Sequence, residues 1–456
     1  MCVYDDVRTL NLLWILCCIT VAPAFGQSRL VIEGVTLIDG TDRPPRQNVQ
    51  VVVEGDRIAN IVSMQHAVKS TGAAVVDGRD KYLIPGLWNN DLHAVDYDSA
   101  KAALPSLLSY GVTTVRDMGA PLDDIVRLRA QLASQSVIGP RLFVAGPLME
   151  GPVPIQMPLI VDIFNVTQAR TEVRNLNEHG VDYVEVDTTL TPELYWTIAE
   201  EAHNQSLRLV GHIPPMIPAD EIVKAHQVNV EHLGGRFLNV LVACSTDQEE
   251  INKILAATYH DLLVALKENR SAGEPQFTAP FDQKLLDSFD PGKAERLFRL
   301  YAQNHIAQTP TLYVLQTLWD TNRDRLKLND RDMESGRRIF AKDLAVVLQM
   351  KRAGVPILAG TDGPYADGGK ALQEELALLV QAGLTPLEAL QAATRDAAAF
   401  MGVSKTSGTI EPGKTADMVL LNANPLDDIR NISQIDAVLL RGKLFSKEQL
   451  TAMRSH

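Results

Sequence analysis

Between residues 82 and 361 the chain passes through short apolar, β-type segments, each separated from the next by a longer stretch of helical texture. That alternation predicts parallel strands joined by crossover helices. The segments are 82–87, 111–116, 141–145, 181–186, 208–212, 229–232, 308–314 and 355–361. Parallel strands in this number close most naturally into a (β/α)8 TIM barrel, because an open doubly wound sheet needs a topological switch that nothing in the order marks. The expected fold class is α/β.

The two ends have a different texture. Residues 30–80 hold short β-rich runs broken by turns, including Val49-Gln50-Val51-Val52-Val53 and a hairpin turn at Glu54-Gly55-Asp56. The texture returns at Met418-Val419-Leu420-Leu421 and Ala437-Val438-Leu439-Leu440. The chain thus leaves a sheet domain and comes back to finish it. The expected organisation is a discontinuous β-sandwich domain, 27–80 and 408–456, around a barrel at 81–407. The charged segment 245–291 is too long for a simple strand-to-helix connection and reads as a helical excursion over the barrel mouth.

Composition narrows the function. With 46% hydrophobic and 22% charged residues in 456, the chain has the make-up of a globular protein. Its formal net charge of −13, without a Lys/Arg run, excludes a nucleic-acid footprint. At the N-terminus an apolar stretch from Leu10 to Ala22 precedes Pro23-Ala24-Phe25-Gly26, the pattern of a cleaved signal peptide over 1–26. Asp5 and Asp6 are odd before such a stretch, and a start at Val7 would place Arg8 there instead. The expectation is export to a periplasmic or secreted location, with no stable membrane span after cleavage. Cys2, Cys17 and Cys18 fall in the removed segment, and Cys244 reads as structural.

Barrel active sites sit at the C-terminal ends of the strands. There the sequence puts Asp91-Leu92-His93, two residues apart and so on the same side of an extended chain, able to grip one ion together. Glu185 stands between Val184 and Val186 with no Lys or Arg in its strand, and a buried acid must be paired or metal-bound. His212, Glu231-His232 and Thr361-Asp362-Gly363 complete the set. Singly, such residues are commonly structural histidines or helix caps; together they point to a divalent cation.

Several ordered stretches resemble the amidohydrolase superfamily, in its imidazolonepropionase-like and Xaa-Pro dipeptidase-like branch. They include Leu83-Ile84-Pro85-Gly86-Leu87-Trp88, Gly111-Val112-Thr113-Thr114-Val115-Arg116-Asp117, Gly211-His212, Val230-Glu231-His232, Ala359-Gly360-Thr361-Asp362 and Gly408-Thr409-Ile410-Glu411-Pro412-Gly413. The resemblance implies a metal-dependent hydrolase of a C–N bond, with one or two ions: Asp91, His93 and Asp362 on the first, His212 and His232 on the second, and Glu185 shared. It implies that Asp362 takes a proton from the attacking water and passes it to the leaving nitrogen. The chain departs from the family pattern in having Asp91 where that pattern has His, and Glu185 where the branch usually has a carboxylated Lys. It also lacks a His in Gly146-Pro147-Leu148-Met149-Glu150-Gly151.

The extra carboxylate shifts metal preference toward harder ions; Zn²⁺ is the expected ion, with Mn²⁺ and Fe as alternatives. The expected partner is a small-molecule substrate with an amide, peptide-like or N-acyl amino acid bond; homo-oligomerisation is left open. Arg236 in Gly234-Gly235-Arg236 is a candidate for a substrate carboxylate, though a loop Arg is more commonly a solvated surface residue. Two other readings stand beside hydrolysis: a degenerate barrel that binds a ligand without turning it over, and a deaminase of the same superfamily.

Overall fold

The computed structural model describes residues 29–151, 157–234, 239–267 and 278–454. The expected signal peptide, with Cys2, Cys17 and Cys18, lies outside them, as does Arg236. No helix among the described residues is long and apolar enough to cross a membrane.

The central strands are all parallel and fall into three hydrogen-bonded groups: Leu87–Leu92, Val112–Asp117 and Arg141–Val144; Ile160–Asp162, Leu148–Glu150, Tyr183–Val186 and Arg208–Gly211; and Asn229–Glu231 with Ala307–Thr309. Most are buried along their whole length, as strands covered on both faces must be. Backbone hydrogen bonds continue between groups. Asp182 N donates to Val144 O at 2.9 Å, Val228 N to Leu209 O at 2.9 Å, Leu358 N to Gln308 O at 2.8 Å and Asn90 N to Ala359 O at 2.9 Å.

Three strand expectations are corrected. Residues 82–87 are not the first central strand: Tyr82–Pro85 pairs antiparallel with Met418–Leu421, and the central strand is Leu87–Leu92. The continuous apolar run hides a break at Gly86, where a Cβ would stand 2.2 Å from Thr113 Oγ1. The segment 308–314 is extended only at its start, because Leu312–Asn322 is a helix entered through Thr311 at φ +47°. The segment 355–361 is joined to its neighbour by a single parallel bridge, Gln308 to Ile357, and by the separate bonds above.

Both chain ends build one eight-stranded sheet, in which Tyr82–Pro85 links Arg29–Leu37 to Met418–Leu421. Its turn at Gly55, φ +62°, closes the expected hairpin, with Glu54 opposite Arg57. Ile58 and Lys414 are hydrogen-bonded, so the sheet curls over its own core of Ile32, Leu37, Val51, Leu83, Ile410 and Leu420. The segment 245–291 is largely helical where described, with helices Gln248–Lys267 and Ala279–Asp287.

Candidate metal centre

Strand ends place the candidate side chains. Asp91 lies in Leu87–Leu92, and His93 follows it, held by a backbone bond from His93 N to Gly363 O at 3.0 Å. Asp362 reaches the same point because its own N donates to Asp91 O at 3.0 Å. His212 follows Gly211, a position open only to glycine: φ is +114° and a Cβ would lie 2.3 Å from Val186 O. His232, Thr311 and Asp362 all sit at positive φ, 51°, 47° and 48°, a costly conformation for side chains of this kind and one that clusters at functional sites.

Four of the six expected residues converge directly. His93 Nε2 lies 3.1 Å from Asp362 Oδ1 and 3.7 Å from Asp91 Oδ1. His232 Nε2 lies 3.7 Å from Asp362 Oδ2 and 3.9 Å from Asp91 Oδ2. One ligand atom each from Asp91, His93 and Asp362 fit within 4.8 Å of one another, the separation of donors around a single ion. The His212 ring stands edge-on to His232, centroids 5.0 Å apart. Glu185 is buried and feels the negative fields of Glu231, Asp91 and Asp187.

Two of the buried candidate carboxylates lack hydrogen-bond partners for one or both oxygens among the described residues. Asp91 is 1% exposed, and neither of its carboxylate oxygens has a hydrogen-bond partner among the described residues. Glu185 Oε2 is likewise buried and unpartnered. Burial, with Asp362 nearby, pushes the Asp91 carboxyl well above its usual range; burial and Glu231 do the same to Glu185. Burial disfavours charge on His93, but the hydrogen bond and field of Asp362 lift it to about 9. Burial also works against ionisation of Asp362, yet His232 and His93 hold its carboxyl below the ordinary range. Burial, opposed by the field of Asp362 and joined by those of His212 and His93, lowers His232 to about 4.

This arrangement fits a divalent cation. It offers carboxylate oxygens and imidazole nitrogens, a donor set suited to Zn²⁺, Mn²⁺ or Fe²⁺. The buried oxygens of Asp91 and Glu185 that lack hydrogen-bond partners are of the kind a cation would satisfy. Two histidines are also oriented for ligation. His212 Nδ1 meets Asp187 Oδ1 at 2.6 Å and Thr188 Oγ1 at 2.7 Å, and His232 Nδ1 meets Thr311 Oγ1 at 2.5 Å. Fixing one ring nitrogen this way aims the other at a metal.

Several participants were not singled out from sequence. Asp187 and Thr188 were legible as polar residues just past Glu185, and Thr311 had no local signal. Asp117 receives Tyr365 OH at 2.8 Å and Ala94 N at 3.0 Å, and burial raises its carboxyl to about 7. In the segment without histidine, Glu150 is buried, accepts from Gly151 N at 2.8 Å and Thr189 N at 2.6 Å, and is raised to about 8 by burial and Asp187.

Comparison with known proteins bears on the family and the fold. Residues 291–445 match the amidohydrolase family. The resemblance to the amidohydrolase superfamily is thereby shown. The chain is 39% identical over 98 residues to ochratoxinase of Aspergillus niger, a match covering 21% of this chain and 20% of that protein. It is 37% identical over 94 residues to N-acyl-D-aspartate deacylase of Alcaligenes xylosoxydans xylosoxydans, covering 21% and 18%. These matches thus span about a fifth of the curated relatives' length. The A. niger ochratoxinase structure superposes with a TM-score of 0.67 at 20% identity, over 92% of this chain and 96% of that one. A Xaa-Pro dipeptidase with methionine bound in its active site gives 0.66 at 17%, over 92% and 100%. At such identities the likeness shows a common α/β fold.

Proposed function

We propose that this chain is a metal-dependent hydrolase that cleaves a C–N bond of an amide, peptide-like or N-acyl amino acid substrate. The observation that carries the reading is the convergence of Asp91, His93 and Asp362 on one point while both Asp91 oxygens stay unpartnered. The matches to a deacylase and to ochratoxinase support the reaction class. We assign Asp91, His93, Glu185, His212, His232 and Asp362 as ligands. The run of backbone bonds between the strand groups supports a closed (β/α)8 barrel as the frame, and the shared eight-stranded sheet supports a second domain built from both chain ends. The apolar N-terminal segment supports export.

A bound divalent ion would supply Lewis-acid polarisation of the carbonyl and activation of the attacking water. The protein's own contribution centres on Asp362. Held ionised by His232 and His93, it can accept the proton that water loses as the C–O bond forms. It then returns that proton to the leaving nitrogen as the C–N bond breaks, and acid and amine are released. The Thr311 bond to His232 and the Asp187–Thr188 grip on His212 keep two imidazoles available to the cation.

The test combines metal analysis of the gently purified protein with a screen of N-acyl amino acids, dipeptides and neutral amides in Zn²⁺ or Mn²⁺. About one or two equivalents of metal and turnover of at least one amide are expected. Less than about one-tenth equivalent after loading would defeat the reading.

A further inference from the structure

The side chain of Arg116, on the strand Val112–Asp117, is 0% exposed. Its guanidinium touches three other strands. Nε donates to Asn90 O at 2.6 Å, and Nη2 donates to Glu231 Oε1 at 2.9 Å and to Thr309 Oγ1 at 3.3 Å. Each contact lies next to a proposed ligand or its support. Asn90 immediately precedes Asp91, and Glu231 immediately precedes His232. Thr309 O accepts from His232 N at 3.0 Å, and Thr311, two residues on, holds His232 Nδ1. The rings of Tyr183 and Phe400, 5.7 and 5.3 Å from the guanidinium carbon, enclose it.

A buried Arg–carboxylate pair adds little to stability relative to a well-packed apolar pair, so stability alone does not explain this one. Its geometry is what only a planar fork provides, with donors pointing to several strands at once. Its charge is also placed where it matters, since Arg116 opposes the summed negative fields of Asp91, Glu185 and Glu231.

We infer that Arg116, with Glu231, is a positioning residue for the metal centre, fixing the strand ends that present Asp91 and His232 so that the cation meets an assembled ligand set. The inference rests on the proposed metal-dependent reading.

Three variants test it: Arg116→Lys, which keeps charge without the fork; Arg116→Met; and Arg116→Met with Glu231→Gln, which removes both charges and so avoids a lone buried acid. Zn²⁺ affinity is measured by competition with a chromophoric chelator, alongside circular dichroism and thermal midpoints with excess EDTA. Arg116→Lys and the double variant should keep native spectra and midpoints close to that of the parent in EDTA, yet bind Zn²⁺ about 10- to 100-fold more weakly, the usual cost of losing a residue that orients ligands. A purely structural residue would lower the midpoint and leave the affinity of the folded protein unchanged. The inference is overturned if folded Arg116→Lys and the double variant both bind Zn²⁺ as the parent does. It is equally overturned if both fail to fold in EDTA, because Arg116 would then serve the fold. A parent protein that takes up neither Zn²⁺ nor Mn²⁺ overturns the metal reading itself, an outcome read from a different sample.

Discussion

Replacing Asp91 by Asn should move stability in opposite directions with and without metal. The carboxylate is 1% exposed, both its oxygens lack partners, and Asp362 adds like charge nearby, so in metal-free protein Asp91 is a cost. Leaving a buried polar group unsatisfied costs about 1–3 kcal/mol, more if charged. Asn keeps the shape and, though its amide is polar too, removes the extra cost of the buried charge, so the apo variant should gain about 1 kcal/mol. With ion present at about a thousand times its dissociation constant, binding stabilises the parent by about 4 kcal/mol, most of which the variant should lose. At roughly 2–4 °C per kcal/mol for a domain of 150–250 residues, and less for a longer chain, the expected signature is a crossing. Asp91→Asn should melt about a degree or two above the parent in EDTA and below it in Zn²⁺ or Mn²⁺, by differential scanning calorimetry. If the variant is destabilised equally in both buffers, Asp91 is a structural partner of its neighbours. If metal raises the variant's midpoint as much as the parent's, its assignment as a ligand is wrong.

Three further outcomes are expected. Asp362→Asn should lower kcat about 10²- to 10⁴-fold on whichever amide is turned over, and full activity would remove Asp362 as the proton carrier. Glu375 is buried, with Oε2 accepting Tyr313 N at 2.7 Å at the start of helix Leu312–Asn322 and Oε1 unpartnered, and burial lifts its carboxyl to about 8. The folded chain therefore holds a proton that the unfolded chain releases near pH 4, and this contribution to stability is full below about pH 4 and lost as pH rises to about 8. Glu375→Gln should flatten that slope in urea titrations and be the more stable protein at pH 8; an unchanged slope would show that Glu375 is not its source. Gly86→Ala would drive a methyl to 2.2 Å from Thr113 Oγ1, so a loss of at least about 1–3 kcal/mol is expected in the same titrations, partly recovered by adding Thr113→Ala. A Gly86→Ala protein as stable as the parent would mean the two strands can separate freely there.

What was legible in sequence is what short-range pattern records. Alternation exposed most of the parallel strands, and two-residue spacing put Asp91 and His93 on one side of an extended chain, where the structure has them. The misplaced first strand arose because Tyr82-Leu83-Ile84-Pro85 and Leu87-Trp88 are equally apolar; only the contact of Gly86 with Thr113, distant in sequence, divides them. Orientation of the ligands was invisible for the same reason. His232 is aimed by Thr311, 79 residues away, and Glu231 is neutralised by Arg116, 115 residues away. Neither partner carries a local signature, since a Thr after a strand and an Arg inside one are ordinary residues. A list of strand-end acids and histidines therefore names the donors, whereas the hydroxyls and the guanidinium that aim them emerge only when strands far apart in sequence lie side by side. The donor set named from sequence holds three carboxylates, Asp91, Glu185 and Asp362. With Asp91 and Glu185 held inside and without hydrogen-bond partners for three of their four oxygens among the described residues, that count supports the proposed cation site.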